Sequence, residues 1–191
     1  MTLRLTVDAE TPRRLLAAND ASLNPGERRS TRVPRLRARA VTWSLEGIEG
    51  VIRPPSLQRL TFGRYFDHAV EQVSWPACLQ HLKFGHAFNR PVEGVSWPPS
   101  LHRLIFGRSF NKAIDRIAWP ASLQHLAFLG WPGWQPSVFN QPIEGVLWPA
   151  SLQHLSLGSS FHQPVEGVLW PPSLQQLFFG SLFNQAIDRI A

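Results

Sequence analysis

From Pro54 onward the apolar residues fall into six columns that return at a fixed period. Leu79, Leu82, Phe84, Phe88, Val92 and Val95 in one unit have counterparts in its neighbours. A tryptophan before a proline marks the period at Trp75, Trp97, Trp119, Trp148 and Trp170, with spacings of 22, 22, 29 and 22 residues. The surplus of seven residues falls between Phe128 and Phe139, whose columns are elsewhere four apart, as from Phe106 to Phe110. Six units therefore run from 54 to 191, one with a seven-residue insertion between 128 and 139. A degenerate unit precedes them at 38–53, where Ala38 to Trp43 can be laid over Leu57 to Phe62.

A single unit of this size cannot enclose a core, so its apolar columns must be buried by stacking on the next unit. Leu101, Leu104 and Phe106 have the alternation of a short strand with its apolar side chains inward, and stacked copies predict a parallel sheet. The return path carries Pro91, Gly94 and Pro98, where a helix would have to run. Proline removes a backbone donor and glycine weakens regular structure, so turns, extended segments and 3₁₀ pieces are expected there.

These residues resemble a leucine-rich repeat, and more specifically the FNIP repeat, a 22-residue variant named for its Phe-Asn-x-Pro core. Phe88-Asn89-Arg90-Pro91, Phe139-Asn140-Gln141-Pro142-Ile143 and Phe161-His162-Gln163-Pro164 carry that core, and Trp97-Pro98-Pro99-Ser100-Leu101 matches its junction. The resemblance covers residues 38–191. It implies a leucine-rich-repeat-like solenoid, a right-handed curved array with a parallel sheet on one face and little α-helix, that binds other proteins. Some members of the family are joined to F-box or kinase domains. Residues 1–37 are too few for a kinase and show no F-box pattern.

Composition narrows the class further. Of 191 residues, 43% are hydrophobic and 17% charged, in the range of a folded chain. Seventeen prolines and thirteen glycines leave helices scarce. Cys78 is the one cysteine, which excludes an internal disulfide or a multi-thiolate zinc site and demands no oxidising compartment. No apolar run reaches the ~18–20 residues of a membrane span, and Met1 to Ala18 is interrupted by Arg4, Asp8, Glu10, Arg13 and Arg14, unlike a secretory signal. An intracellular protein, cytoplasmic or nuclear, without membrane contact is expected.

The net charge of +6 is unevenly placed. Residues 1–40 hold nine arginines and four acids, a net of +5, whereas 41–191 hold ten Lys/Arg and nine acids. The segment 1–37 reads as a basic arm with three open readings: a disordered tail, a nucleic-acid or nuclear-import segment, or a cap on the first repeat. No aromatic residues are interleaved with its arginines to stack on bases.

Several columns have chemistry that the scaffold itself explains. Asn89, Asn111, Asn140 and Asn184 are expected to form a ladder whose amides satisfy buried turn groups from both sides, with Asp67 and His162 as interruptions. Because an ionised Asp67 cannot donate, its repeat is expected to be locally weaker. Glu71, Glu93, Asp115, Glu144 and Glu166 form a carboxylate column, with Glu49 and Asp188 beyond it. One carboxylate per unit, flanked by Gly or Arg, favours hydrogen-bonded or arginine-paired acids over a calcium site, which needs several oxygens converging from one loop. Pro91, Pro142 and Pro164 are each followed three residues later by Gly94, Gly145 and Gly167, a pairing that points to a shared turn. Ser56, Ser100, Ser122, Ser151 and Ser173 share a column with Cys78, so the thiol reads as a substituted repeat position and the hydroxyls as partners of a turn N–H. No hydrolase elbow, phosphate loop or HExxH pattern appears, so an enzyme is not expected and neither is a cofactor.

Specificity in a repeat protein is written in the columns that face outward and vary. By strand alternation two such columns flank the buried leucines: Arg59, His81, Arg103, His125, His154, Gln176, and Thr61, Lys83, Ile105, Ala127, Ser156, Phe178. The first is a basic, imidazole-rich stripe. It reads either as a solvated face that keeps the sheet soluble or as a groove for an acidic peptide or protein, strengthened below the histidine pKa of about 6.5. Only His125 and His154 are adjacent, which disfavours zinc. Trp131 and Trp134, on the inserted Gly/Pro-framed loop, read as a plug over the array or as an anchor for a partner. The function expected is a non-enzymatic protein-interaction module. It would use Arg59, His81, Lys83, Arg103, His125 and His154 on the strand face together with the Trp131/Trp134 loop. The alternative is a nucleic-acid-associated protein anchored by its arm. The last unit carries no polar cap, so end-to-end self-association through it is a further expectation.

Overall fold

The computed structural model describes residues 4–7, 40–43, 56–129 and 136–187. Eight short strands form one parallel sheet in sequence order: β1 (Arg4–Val7), β2 (Ala40–Trp43), β3 (Arg59–Phe62), β4 (His81–Lys83), β5 (Arg103–Phe106), β6 (His125–Phe128), β7 (His154–Ser156) and β8 (Gln176–Phe178). No helix occurs among the described residues. The array is a β-solenoid, as the leucine-rich-repeat reading requires.

Register follows the period. Arg59, His81, Arg103, His125, His154 and Gln176 stand opposite one another along the sheet, as do Leu60, Leu82, Leu104, Leu126, Leu155 and Leu177. β2 pairs with β3 so that Ala40 faces Arg59 and Trp43 faces Phe62, the register in which the two segments align by sequence. Within the segment 1–37, for which a cap on the first repeat is one of three open readings, β1 pairs with β2 in parallel, a strand that none of the three readings names. Its signal is nonetheless in the sequence: Arg4-Leu5-Thr6-Val7 repeats the pattern of Arg59-Leu60-Thr61-Phe62.

Each strand is followed by a return path of turns, because no run between the prolines and glycines is long enough to close helical hydrogen bonds. The N–H of Leu79, Leu101, Leu123, Leu152 and Leu174 donates to the carbonyl of the junction proline three residues earlier, at 3.0–3.1 Å. A second turn is closed by Phe110 N–H on Gly107, and a third by Val95 on Val92 and Val146 on Ile143. In the third, Gly94, Gly145 and Gly167 have φ of 73–78°, a conformation most L side chains resist. The prolines and glycines that co-vary along the chain therefore do specify one turn.

Inside the coil, two phenylalanine columns interleave. Phe84 stacks on Phe88 at 4.0 Å within its unit, on Phe62 and Phe106 at 5.4 Å across units, and Phe88 lies 6.0 Å from Phe110. Phe84, Phe88, Phe106, Phe110, Phe128, Phe139 and Phe161 are fully buried. Burial of large rings in offset contact is the main stabilising term here. The junction tryptophans flank this core; Trp75 and Trp97 stack at 6.4 Å, as do Trp119 and Trp148 at 6.5 Å. The indole N–H groups of Trp97, Trp119 and Trp148 are buried without an acceptor, so stacking and burial hold this column rather than hydrogen bonding. In the last described unit the same columns are less covered: Leu177, Phe179 and Phe183 are only partly buried, and Ile187 is exposed.

Two polar columns differ from the sequence expectation. The asparagine ladder meets the backbone through oxygen: Oδ1 of Asp67, Asn89, Asn111 and Asn140 accepts the backbone N–H of Asn89, Asn111, Asn140 and His162 at 2.9–3.1 Å, and at Asn140 the amide nitrogen also meets a neighbour in the column, Nε2 of His162 at 3.2 Å. An aspartate serves as well as an asparagine in that position, so the weakness expected at Asp67 loses its basis. Its second oxygen pairs with Arg90 at 3.0 Å. The serine hydroxyls donate to carbonyls of the preceding unit instead of accepting from turn amides. Ser122 bonds Leu101 at 2.8 Å, Ser151 bonds Leu123 at 2.7 Å, and the Cys78 thiol takes the same place on Leu57 at 3.2 Å.

Candidate functional site

The outward columns of β3 to β8 surround the buried leucines, and Arg59, His81, Lys83, Arg103, His125 and His154 all lie on that face, partly or largely exposed. They are not brought together into one cluster. His125 and His154 stack ring on ring at 4.3 Å and 3°, with His154 Nδ1 2.9 Å from Oε1 of Gln176. Lys83 and Arg103 belong instead to a groove at the other half of the sheet.

That groove, of about 260 Å³, lies over β3 to β5 and the turns that follow them. Its lining is largely apolar and includes Ile105 of β5 and Leu129 of the next unit. Its rim is cationic: Arg64, Lys83, Arg103 and Arg108, with His86 between the two turn arginines. None of the described residues lining it is acidic. Among the described residues no carboxylate forms an ion pair with Arg64, Arg103 or Arg108.

Arg64, His86 and Arg108 were missed by alternation along the strand, because they stand two residues after its end, past a glycine. The signal that finds them is the column itself, which reads Arg64, His86, Arg108 and then Ser137, Ser159, Ser181. The glycine before it brings neighbouring turns close: a Cβ at Gly107 would lie 1.9 Å from the carbonyl oxygen of Gly85. In the fourth unit Leu129 takes that place, and the insertion follows it in the sequence. Arg108 Nε donates to the carbonyl of Pro136 at 3.1 Å, and Val138 N–H to that of Arg108 at 2.9 Å, where the chain rejoins. The insertion thus starts and ends beside the groove. Trp131 and Trp134 lie outside the described residues.

The positive field lowers the nearby imidazoles. Burial and then the guanidiniums of Arg59 and Arg103, with His102 and His125, hold His81 below its ordinary value. Burial, Arg64 and Arg108 do so for His86. His125 is lowered by burial, His154 and Arg103. His81 and His125 on the stripe therefore take up their charge at lower pH than an unperturbed histidine does.

The carboxylate column is exposed from Glu93 to Glu166, and Asp115 lies 3.6 Å from Arg116 at the surface. Among the described residues no three His, Cys, Asp or Glu side chains converge as metal ligands. No helix among them is long and apolar enough to cross a membrane.

The family model of the FNIP repeat matches residues 88–129 and 139–182, either side of the inserted loop. These stretches are FNIP repeats. The FNIP array is also similar to the crystal structure of CroV588, described as a novel circular LRR protein, at 34% identity and a TM-score of 0.57. The match covers 78% of this chain and 25% of that one, so the array spans about a quarter of the length of its structural relative. No curated protein matches the chain. Repeat family and solenoid fold are both of a kind that serves as non-enzymatic scaffolding.

Proposed function

We propose that the FNIP array is a protein-interaction scaffold that holds a partner on its strand face, with the Trp131/Trp134 loop as a second contact. The observation that carries this reading is the contrast between columns. The inward positions of every unit repeat the same apolar residues, whereas the outward positions change from unit to unit and leave Arg59 and Arg103 without a carboxylate partner among the described residues. A sheet that only needed solubility would be served by charges of both signs, which pair and cancel. An excess of one sign over an apolar floor supports recognition of an acidic partner.

Immobilised full-length chain, cross-linked to what it captures, tests the reading. Reversing Arg59, Lys83 and Arg103 to glutamate should remove the captured proteins, and Trp131→Ala with Trp134→Ala should weaken them. Capture of the same set by every variant contradicts the proposal. The charge of the N-terminal 40 residues favours a second reading, nucleic-acid association. It predicts a steep loss of affinity with salt that disappears on deletion of 1–37.

A further inference from the structure

We infer that the groove over β3 to β5 is the recognition site for an acidic segment of the partner that carries an apolar side chain between its carboxylates. This rests on the scaffold reading above and assigns it a place and a chemistry. The groove has two parts that a single ligand type satisfies together. Ile105 and Leu129, the latter 40% exposed, offer an apolar seat. Arg64, Arg103 and Arg108 line the same groove together with Lys83, and among the described residues no carboxylate pairs with the three arginines.

The spacing suits an extended peptide. Arg64, His86 and Arg108 stand in successive units, and stacked strands are about 4.8 Å apart, so the two arginines are separated by about 10 Å. A peptide advances ~3.3 Å per residue, which lets carboxylates three residues apart span the two arginines while the apolar residue next to the Arg108-bound carboxylate reaches Ile105, in the same unit as Arg108. Arginine adds a planar fork of donors that a carboxylate can occupy bidentately. An arm of nucleic acid fits less well. The rings of Phe62, Phe84 and Phe106 line the groove from beneath but are at most 3% exposed, so no aromatic platform is available for stacking a base.

The β6 to β8 half of the face does not repeat the site. At the positions of Arg64, His86 and Arg108 it has Ser137, Ser159 and Ser181, and in the column of Lys83 and Ile105 it has Ala127, Ser156 and the exposed Phe178, an apolar side chain with no arginine in the turn column beside it. It therefore supplies an internal control.

The test uses the full chain and a fluorescein-labelled nonapeptide pool with Asp or Glu at six positions and Leu, Ile, Val or Phe at the other three. Anisotropy should show saturable binding. Lys83→Glu with Arg103→Glu should weaken it about tenfold or more, and Ile105→Ser severalfold, whereas Ser156→Glu with Gln176→Glu should change it less than about twofold. A pool with serine in place of the apolar residues should bind less well. The inference is overturned if the acidic pool does not bind, if the groove variants bind it as well as the parent does, or if a labelled oligothymidine binds more tightly and competes for the groove. A neutral or basic pool that binds through His125 and Gln176 would sink this inference while leaving the scaffold reading standing. Partner capture unaffected by any strand-face substitution would sink both.

Discussion

The halves of the array carrying β3–β5 and β6–β8 share a backbone and a core, yet they present different chemistry on the same face. Inside, Leu60, Leu82 and Leu104 continue as Leu126, Leu155 and Leu177. Outside, Arg64, His86, Arg108 become serines, and His68, Arg90, Lys112 become Gln141, Gln163, Gln185. The neutral residues of the second half are partly absorbed into the scaffold. Gln141 Nε2 donates to Oδ1 of Asn111 at 2.9 Å, Gln163 to the carbonyl of Asn140 at 3.2 Å, and Ser159 Oγ accepts from Ser137 N–H at 2.9 Å. Stacking constrains only the inward columns, so the outward ones are free to differ, and here the difference is one of charge.

The comparison breaks most severely at what the halves share. Phe106 is fully buried between Phe84 and Phe128, and Phe106→Ala should cost about 3–5 kcal/mol in denaturant unfolding, with both halves losing amide protection. Next in size is the ladder. Asn111→Ala strands the Asn140 N–H and removes the acceptor of Gln141, for about 1–3 kcal/mol, whereas Asp67→Asn keeps the accepting oxygen and should cost under about 1 kcal/mol. A clear gain in stability in Asp67→Asn would revive a donor role for the ladder.

A smaller effect should follow pH. His81, His86 and His125 are all lowered in the folded chain, so between their folded values and about 6.5 the unfolded chain binds more protons. Their contribution to stability is complete above pH 6.5 and is lost as pH falls through the lowered values. The thermal midpoint should decline from pH 7 toward pH 5, and His81→Gln should flatten that decline. An unchanged slope would contradict the placement of His81 in the positive field. Smallest of all should be Glu144→Gln, an exposed member of the carboxylate column, within about 0.5 kcal/mol of the parent.

Much of this was legible before any coordinates. Period, insertion and strand register follow from the spacing of Trp97, Phe106 and Phe110, because a stacked unit repeats its inward residues or loses its core. The ladder's use of oxygen toward the backbone was not legible, since Asn and Asp differ in donors and the sequence does not say which atoms a turn uses. Nor was the groove. Alternation along β3 to β5 identified Lys83 and Arg103, but their companions Arg64 and Arg108 come from turns beyond a glycine, where strand alternation no longer applies. The apolar part of the lining joins Ile105 to Leu129, a leucine in the glycine column of the next unit, which alternation along one strand does not connect.

The most direct measurement is a map of backbone amide shifts on adding the acidic pool to the full chain. The account predicts perturbations at Thr61 to Arg64, Lys83 to His86 and Ile105 to Arg108, with Ala127, Ser156 and Phe178 unmoved. Shifts centred on β6 to β8, or spread evenly over both halves, would contradict it.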